Sequence, residues 1–167
     1  MTSDEYYEKV YCLTYIIRYG NVPRIHDESV AEHTFLINAL LLQLNEEYKF
    51  DLGRALTIAT AHDMLEAFTS DICHTLKRDN KELYEAIKKA EKSFSYKFPD
   101  TVRLAIEEYD ADSTIEARIV HLADAMQCLQ TANNELKVGG NEYFTEVKDN
   151  STLRINKLRN KLREHLI

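Results

Sequence analysis

The stretch Leu56-Thr57-Ile58-Ala59-Thr60-Ala61-His62-Asp63 ends an apolar segment with two ionisable side chains. Burying an imidazole and a carboxylate side by side costs free energy unless each finds a partner. A divalent metal ion suits both, because imidazole nitrogens and carboxylate oxygens are good metal ligands. The alternative is a capping cluster at a helix C-terminus. That alternative is less favourable, because Asp63 and Glu66 would face the negative end of the helix dipole.

Helical periodicity extends from this stretch through most of the chain. Apolar residues recur mostly at three- and four-residue spacing, and only four glycines and two prolines interrupt the 167 residues. This length is typical of one domain and is sufficient to bury a hydrophobic core. We therefore predict an all-α chain that forms a single domain, 1–167, with about seven helices.

Local signals place the ends of these helices. The capping boxes Ser29-Val30-Ala31-Glu32 and Ser113-Thr114-Ile115-Glu116 each predict a helix start. Gly139-Gly140 predicts a helix end, and 68–77 is predicted to be a polar loop. The predicted helices are 4–17, one opened by Ser29, 51–66, 81–94, 99–109, 113–137 and 142–166. The helix opened by Ser29 has one inward face, formed by Val30, His33, Ile37, Leu41 and Leu44.

Charge and composition exclude several classes of function. A net charge of −7 argues against a nucleic-acid or anionic-membrane partner. The longest purely apolar run, Ala39-Leu40-Leu41-Leu42, is far shorter than the ~20 residues of a membrane helix. The acidic start, Met1-Thr2-Ser3-Asp4-Glu5, is unlike a basic secretory signal. Three widely spaced cysteines indicate a reducing compartment, so we expect a cytoplasmic protein.

Two further residues complete a candidate metal site with His62 and Asp63. His33 follows the first capping box, and Asp124 lies in the apolar segment Val120–Met126. Each also has a structural interpretation: His33 as a core histidine bonded to backbone, and Asp124 as part of a buried salt bridge. Two imidazoles and two carboxylates suit Mn²⁺, Co²⁺, Fe²⁺, Zn²⁺ or Mg²⁺ with open positions. Open positions indicate catalysis rather than a closed structural site.

The order of these residues resembles that of the HD-domain metal-dependent phosphohydrolases. A wider pattern is similar to the bacterial 5′-deoxynucleotidase branch of that family, and it runs from about Val10 to Glu135. It consists of Arg18-Tyr19, Glu28-Ser29-Val30-Ala31-Glu32-His33, His62-Asp63-x-x-Glu66-x-x-Thr69-x-Asp71 and Ala123-Asp124-Ala125. The resemblance implies an HD-domain helical bundle with its catalytic core at about 10–135. The helix at 142–166 matches only in being helical.

The resemblance implies a metal-dependent phosphohydrolase that removes the 5′-phosphate from deoxynucleoside 5′-monophosphates with a metal-activated water. One divalent ion, with Mn²⁺ or Co²⁺ expected to support activity best, would be bound by His33, His62, Asp63 and Asp124. The family tends toward dimers, so the resemblance implies a homodimer as an expectation. A tyrosine stripe offers a core or dimer surface, formed by Tyr6, Tyr7, Tyr11 and Tyr15.

The resemblance also assigns the substrate side of the site. Glu66 matches the catalytic glutamate that orients or deprotonates the attacking water, and Arg18 matches an arginine that grips the phosphate. Asp71 matches a loop aspartate that contacts the sugar. Tyr19 stands where the family commonly carries tryptophan, and it is the candidate for rejecting a 2′-hydroxyl. Lys77 is a further basic candidate for substrate binding.

Two other functions fit the same residues. A deoxynucleoside triphosphate hydrolase would need more positive charge than Arg18 and Lys77 obviously provide. A catalytically idle module that binds a nucleotide and a partner protein is the other alternative, and Glu66 beside four candidate ligands argues against it.

The remaining histidines and basic residues have weaker assignments. His121, three residues before Asp124, is a candidate to support the ligands indirectly, whereas His165 is not expected to be a ligand. His26 and His74 lie in loops that flank the predicted cleft. The basic residues of the last helix are interpreted as a solvated face or as partners of the acidic body. They are Lys148, Arg154, Lys157, Arg159, Lys161 and Arg163.

Overall fold

A computed structural model of the chain describes residues 1–164, apart from the side chains of His74 and Thr75. Within that range the structure is helical, which confirms the predicted all-α class. The helices are α1 (Ser3–Cys12), α2 (Val30–Tyr48), α3 (Leu52–Ala61), α4 (Glu66–Thr69), α5 (His74–Asp79), α6 (Lys81–Ser95), α7 (Asp100–Ala111), α8 (Ile115–Lys137) and α9 (Tyr143–Arg163). Seven of them have ten or more residues and correspond to the seven predicted helices; the two short ones, α4 and α5, are additional.

The start of α2 follows the capping box predicted from the sequence. Ser29 Oγ accepts from Glu32 N at 3.2 Å, and Glu32 Oε2 accepts from Ser29 N at 2.7 Å. All five residues predicted for the inward face of this helix are buried. The face packs against α3 and α8. This packing carries the first turn of α2 into the core, where His33 is only 1% exposed.

The helix α8 occupies the centre of the bundle and contacts α2, α3, α7 and α9. Small buried side chains such as Ala117, Ala123 and Ala125 leave little bulk on its surface. Neighbouring helices can therefore approach closely. As a result, Asp124, in the middle of α8, is 8% exposed and lies near the first turn of α2.

The first helix is shorter than predicted, because it ends at Cys12 rather than at about Ile17. Beyond it, the backbone pairs with the segment that precedes α2. Ile16 O accepts from Val30 N, and Glu28 O accepts from Arg18 N, both at 2.9 Å. These bonds satisfy backbone groups that a longer helix would have paired internally. They also fix Arg18 beside the start of α2.

The third helix ends at Ala61 rather than at about Glu66, and His62 is its C-cap. The physical reason is that the side chain of His62 competes with the backbone for one carbonyl, since His62 Nδ1 donates to Ala59 O at 2.6 Å. In a continued helix that carbonyl would accept from the N–H of Asp63. Glu66 instead begins α4, and α5 covers part of the segment 68–77 that was predicted to be a loop.

The second predicted capping box is wrong by one residue. Thr114, not Ser113, caps α8, and its Oγ1 accepts from Ala117 N at 3.2 Å. The glutamate of the predicted box serves another helix, because Glu116 Oε1 accepts from Asp51 N at 3.1 Å. Glu116 therefore bonds a distant segment instead of completing the capping box at the start of its own helix.

The last helix begins after the predicted glycine break. The helix α8 ends at Lys137, and Gly139 has a φ of 84°, a left-handed conformation that favours glycine. The helix α9 then runs to Arg163, and the predicted extension to 166, with His165, lies outside the described residues. Across residues 1–164, no helix combines the length and the apolar character that crossing a membrane requires.

We expect Ser29→Ala to lower the free energy of unfolding by about 1 kcal/mol, because it removes the acceptor for Glu32 N. Thr2→Ala is the matched control, since Thr2 caps α1 with the same capping-box geometry, but α1 has no buried residues. Denaturant unfolding followed by circular dichroism measures both variants. An equal loss of stability in the two would show that the cap of α2 has no special role in the core.

Candidate metal and nucleotide site between α2, α3 and α8

The structure brings all four predicted ligands to one point. His62 Nε2 lies 3.1 Å from Asp63 Oδ2. His33 Nε2 lies 3.4 Å from Asp124 Oδ1 and 3.6 Å from Asp63 Oδ2. Ligand atoms of His33, His62 and Asp124 all fall within 4.8 Å of one another. Residues that are 91 positions apart in the chain thus form one compact group of nitrogen and oxygen donors.

Both imidazoles are oriented by contacts on the side away from this point. His62 Nδ1 donates to Ala59 O at 2.6 Å, and His33 Nδ1 lies 2.7 Å from Gln127 Oε1, which can only accept. Arg18 Nη1 also lies 2.8 Å from His33 Nδ1, so both Nδ1 atoms are engaged away from the group. Each Nε2 faces the carboxylates, where it can hold a proton or, in its place, a metal ion. Neither Nε2 has a hydrogen-bond partner among the described residues. The carboxylate oxygens at this point attract a cation, which is a proton on an Nε2 or a metal ion that replaces it. These residues therefore fit a divalent metal ion.

The electrostatics of the group also favour a cation. Burial alone would lower the pKa of His62, but the carboxylate of Asp63 outweighs it and, with help from Asp124, raises this pKa to about 9. Burial would raise the pKa of Asp124, yet the guanidinium of Arg154 and the two histidines hold it well below its ordinary value. Both carboxylates thus stay ionised, and the negative field that would hold a proton on His62 equally attracts a metal ion.

Asp124 forms the buried salt bridge of its structural interpretation, and it also lies beside the other candidate metal ligands. Its Oδ2 accepts from Arg154 Nη1 at 2.8 Å and from Tyr109 Oη at 3.2 Å, while Oδ1 faces His33. Arg154 lies on α9, whose basic residues were interpreted as a solvated face or as intramolecular partners. The second interpretation is confirmed for Arg154 and for Lys161, whose Nζ lies 3.0 Å from Asp112 Oδ2.

A cavity of about 310 Å³ opens beside the ligand group. All five residues predicted for catalysis or substrate binding line it: Arg18, Tyr19, Glu66, Asp71 and Lys77. Sequence reasoning missed its other wall, which α9 supplies with Tyr143, Glu146, Val147, Asn150, Ser151 and Arg154. The helix that had seemed unrelated to the site is therefore part of it.

Glu66 lies at the start of α4, where the break after α3 turns it toward the cavity. Its Oε2 is buried and has no hydrogen-bond partner among the described residues. Burial first, and then the negative charges of Asp63 and Asp71, raise the pKa of Glu66 to about 9. A carboxyl group whose pKa is raised by several units is typical of proton-transfer sites.

The guanidinium of Arg18 is held by other side chains of the protein as well as facing the cavity. Its Nη1 lies 2.7 Å from Glu28 Oε1 and donates to Gln127 Oε1 at 3.1 Å. The other oxygen of Glu28 accepts from Gln127 Nε2 at 2.8 Å and from Thr131 Oγ1 at 2.6 Å. Glu28 belongs to the sequence motif that suggested the site. Its role as the buried partner of Arg18 and Gln127 could be recognised only in the structure.

The predicted sugar-binding pair is in direct contact. Tyr19 N donates to Asp71 Oδ2 at 3.0 Å, and Tyr19 has a φ of 56°, which is uncommon for a residue with a side chain. The ring of Tyr19 packs edge-on against Phe144 of α9, with 5.4 Å between ring centroids. Strain of this kind is found where the surrounding structure fixes a functional residue.

The other histidines do not reach the ligand group. His121 Nδ1 contacts Arg154 Nη2 at 3.0 Å and its Nε2 lies 3.0 Å from Tyr109 O, so it supports Asp124 indirectly, through Arg154 and Tyr109. His26 lines a separate groove, together with Glu28, rather than the cavity, and its N–H donates to Glu135 Oε1 at 2.8 Å. The side chain of His74 lies outside the described residues.

Comparison with known proteins agrees with this geometry. A family model described as 5′-deoxynucleotidase YfbR-like matches residues 5–165. The chain belongs to the YfbR-like 5′-deoxynucleotidase family. This confirms the resemblance noted from the sequence, and the match extends through α9, which that resemblance did not include.

Individual relatives of the chain have low sequence identity to it, but their alignments cover most of its length. A 5′-deoxynucleotidase from Erwinia tasmaniensis is 28% identical over 159 residues, which is 87% of this chain and 80% of that protein. The crystal structure of an HD-domain phosphohydrolase from Listeria innocua has a TM-score of 0.81 at 23% identity, covering 97% of this chain and 83% of the other. A cyanophage S-2L HD phosphohydrolase, solved with dA and one catalytic Zn²⁺, has a TM-score of 0.66 at 19% identity, covering 92% and 82%. These structures share the fold.

We expect Gln127→Leu to weaken Mn²⁺ binding about 10- to 100-fold, because His33 Nδ1 loses a partner that orients its ring. Gln130→Leu is the matched control, since Gln130 is exposed on the same helix and bonds Asn134 instead. Metal content after dialysis against graded Mn²⁺ concentrations measures the effect. Equal metal retention in the two variants would contradict the orienting role of Gln127.

Proposed function

We propose that this HD-domain phosphoric monoester hydrolase removes the 5′-phosphate from deoxynucleoside 5′-monophosphates. Its family is that of the 5′-deoxynucleotidases, and a relative from Erwinia tasmaniensis carries that name. The observation that carries the proposal is the convergence of His33, His62, Asp63 and Asp124 beside a cavity that also contains Glu66. Four donors with an acid–base group one turn away suit hydrolysis rather than simple storage of a cation.

The two histidines would contribute their Nε2 atoms to the metal, and Asp63 and Asp124 would contribute carboxylate oxygens. When bound, a divalent ion supplies a Lewis acid that polarises a phosphoryl oxygen and lowers the pKa of water. We propose Mn²⁺ or Co²⁺ as the ion that best supports activity, because a mixed nitrogen and oxygen set suits both.

Glu66 is proposed to orient the attacking water and to accept its proton. Two causes raise its pKa beside burial, namely the charges of Asp63 and Asp71. A metal ion bound by Asp63 would neutralise that charge, and this would favour the carboxylate form of Glu66 that a general base needs. Lys77 and Arg18 act in the same direction, since both lower this pKa. The cavity wall thus tunes Glu66 for proton transfer near neutral pH.

The sugar is proposed to lie against Tyr19 and Asp71. One oxygen of Asp71 already accepts from Tyr19 N, which leaves the other to accept from a 3′-hydroxyl. Because this bond and the ring of Phe144 hold Tyr19 in place, its side chain cannot easily withdraw to admit a 2′-hydroxyl. Arg18 and Lys77 are proposed to face the phosphate from the same cavity.

A homodimer, a single domain and a cytoplasmic location stay predictions. Of the tyrosine stripe, Tyr7, Tyr11 and Tyr15 are exposed and in contact with one another, which fits a surface rather than a core. Sedimentation equilibrium distinguishes a dimer from a monomer.

The proposed function is tested by measuring phosphate release from 5′-mono- and triphosphates, in ribo and deoxy forms, with Mn²⁺, Co²⁺, Mg²⁺ or a chelator. We expect turnover of deoxynucleoside monophosphates with Mn²⁺ or Co²⁺, and none with the chelator. The same panel tests the sugar contacts, for which we expect a preference for deoxyribose.

Three results would contradict the proposal in different ways. Release of triphosphate or pyrophosphate from deoxynucleoside triphosphates would favour a triphosphate hydrolase. Nucleotide binding without turnover under every metal would favour an idle binding module. Equal turnover of ribo- and deoxynucleotides would refute the sugar discrimination assigned to Tyr19 and Asp71.

A further inference from the structure

Arg154 projects from the middle of α9 into the wall of the cavity. Its Nη1 lies 2.8 Å from Asp124 Oδ2, and its Nη2 lies 3.0 Å from His121 Nδ1. These two contacts hold the guanidinium at the edge of the ligand group, yet 43% of the side chain stays exposed. A guanidinium has more N–H donors than these contacts use. It can therefore accept a further anionic partner without moving far.

The other guanidinium on the cavity is less available. Only 13% of the Arg18 side chain is exposed, and its Nη1 forms an ion pair with the buried carboxylate of Glu28 at 2.7 Å. Much of the remaining charge in the wall is negative, from Asp63, Asp71, Asp124 and Glu146. A phosphate dianion entering this cavity needs an accessible cation, and Arg154 is the more exposed of the two arginines.

Asp124 does not depend on Arg154 alone. Its Oδ2 also accepts from Tyr109 Oη at 3.2 Å, so that oxygen keeps a donor if Arg154 turns toward a ligand. A divalent ion held by Asp63 and Asp124 would balance both carboxylates, which leaves the charge of Arg154 unmatched. An arginine fork beside a metal site is well suited to phosphate oxygens.

We propose that Arg154 is a second phosphate-binding arginine, which donates to the phosphoryl oxygens of the substrate from α9. The inference rests on the proposed function for the identity of the substrate, but binding of phosphate can be measured without turnover. It gives α9 a direct part in substrate binding, in addition to its packing against α8.

The test compares Arg154→Ala and Arg154→Lys with Lys157→Ala in the full chain loaded with Mn²⁺. Lys157 is exposed on the same helix and does not line the cavity, so its removal makes the same change in net charge. Calorimetry measures the binding of inorganic phosphate and of a deoxynucleoside, and elemental analysis measures bound Mn²⁺.

We expect Arg154→Ala to weaken phosphate binding about 10- to 100-fold, the usual effect of losing a charged hydrogen bond. Binding of the deoxynucleoside and the Mn²⁺ content should match those of Lys157→Ala. Arg154→Lys should fall between the wild-type chain and Arg154→Ala, because it keeps the charge but loses the fork. Retained Mn²⁺ and retained helical circular dichroism show that Arg154→Ala is folded.

Two outcomes would overturn the inference. Phosphate binding by Arg154→Ala equal to that of Lys157→Ala would remove Arg154 from the phosphate site. Loss of Mn²⁺ together with phosphate would make Arg154 a positioning residue for Asp124 instead. Failure of the proposed function looks different: phosphate binding would depend on Arg154, while no deoxynucleoside monophosphate is hydrolysed by the wild-type chain.

Discussion

Two buried imidazole rings face two ionised carboxylates where α2, α3 and α8 meet, and the surrounding structure depends on balancing that negative charge with a cation. The bond from His62 Nδ1 to Ala59 O ends α3 and turns Asp63 inward. The capping box at Ser29 starts α2 so that His33 falls in its first, buried turn. A divalent ion would satisfy all four side chains together, and the start of α2, the end of α3 and the middle of α8 are arranged around this one point.

A buried polar network behind the site makes this arrangement specific. Gln127 connects His33 to Glu28, and Glu28 in turn pairs with Arg18. Each member is satisfied by the next, which offsets the cost of burying them. The network orients the ring of His33 on one side and anchors Arg18 in the cavity wall on the other. The candidate metal ligand His33 and the candidate substrate-binding residue Arg18 therefore share one set of contacts.

Much of the fold and the ligand group could be predicted from the sequence, because their signals are local. The Ser29 cap, the inward face of α2 and the break at Gly139 follow from spacing and backbone preference. The features that the sequence did not predict depend on contacts between distant segments. Glu116 caps the segment before α3 instead of its own helix, and Arg154 reaches Asp124 from α9. Periodicity shows that α9 is amphipathic, but it cannot show which cavity its polar face borders.

The most direct test of the central claim compares Asp63→Ala with Glu66→Gln, two changes three residues apart that each remove one carboxyl group from the site. Bound Mn²⁺, helical circular dichroism and phosphate release from a deoxynucleoside monophosphate are measured together. The account predicts that Asp63→Ala loses both Mn²⁺ and activity, whereas Glu66→Gln keeps Mn²⁺ and loses activity by about 100-fold or more. Full Mn²⁺ retention and full activity in folded Asp63→Ala would contradict it.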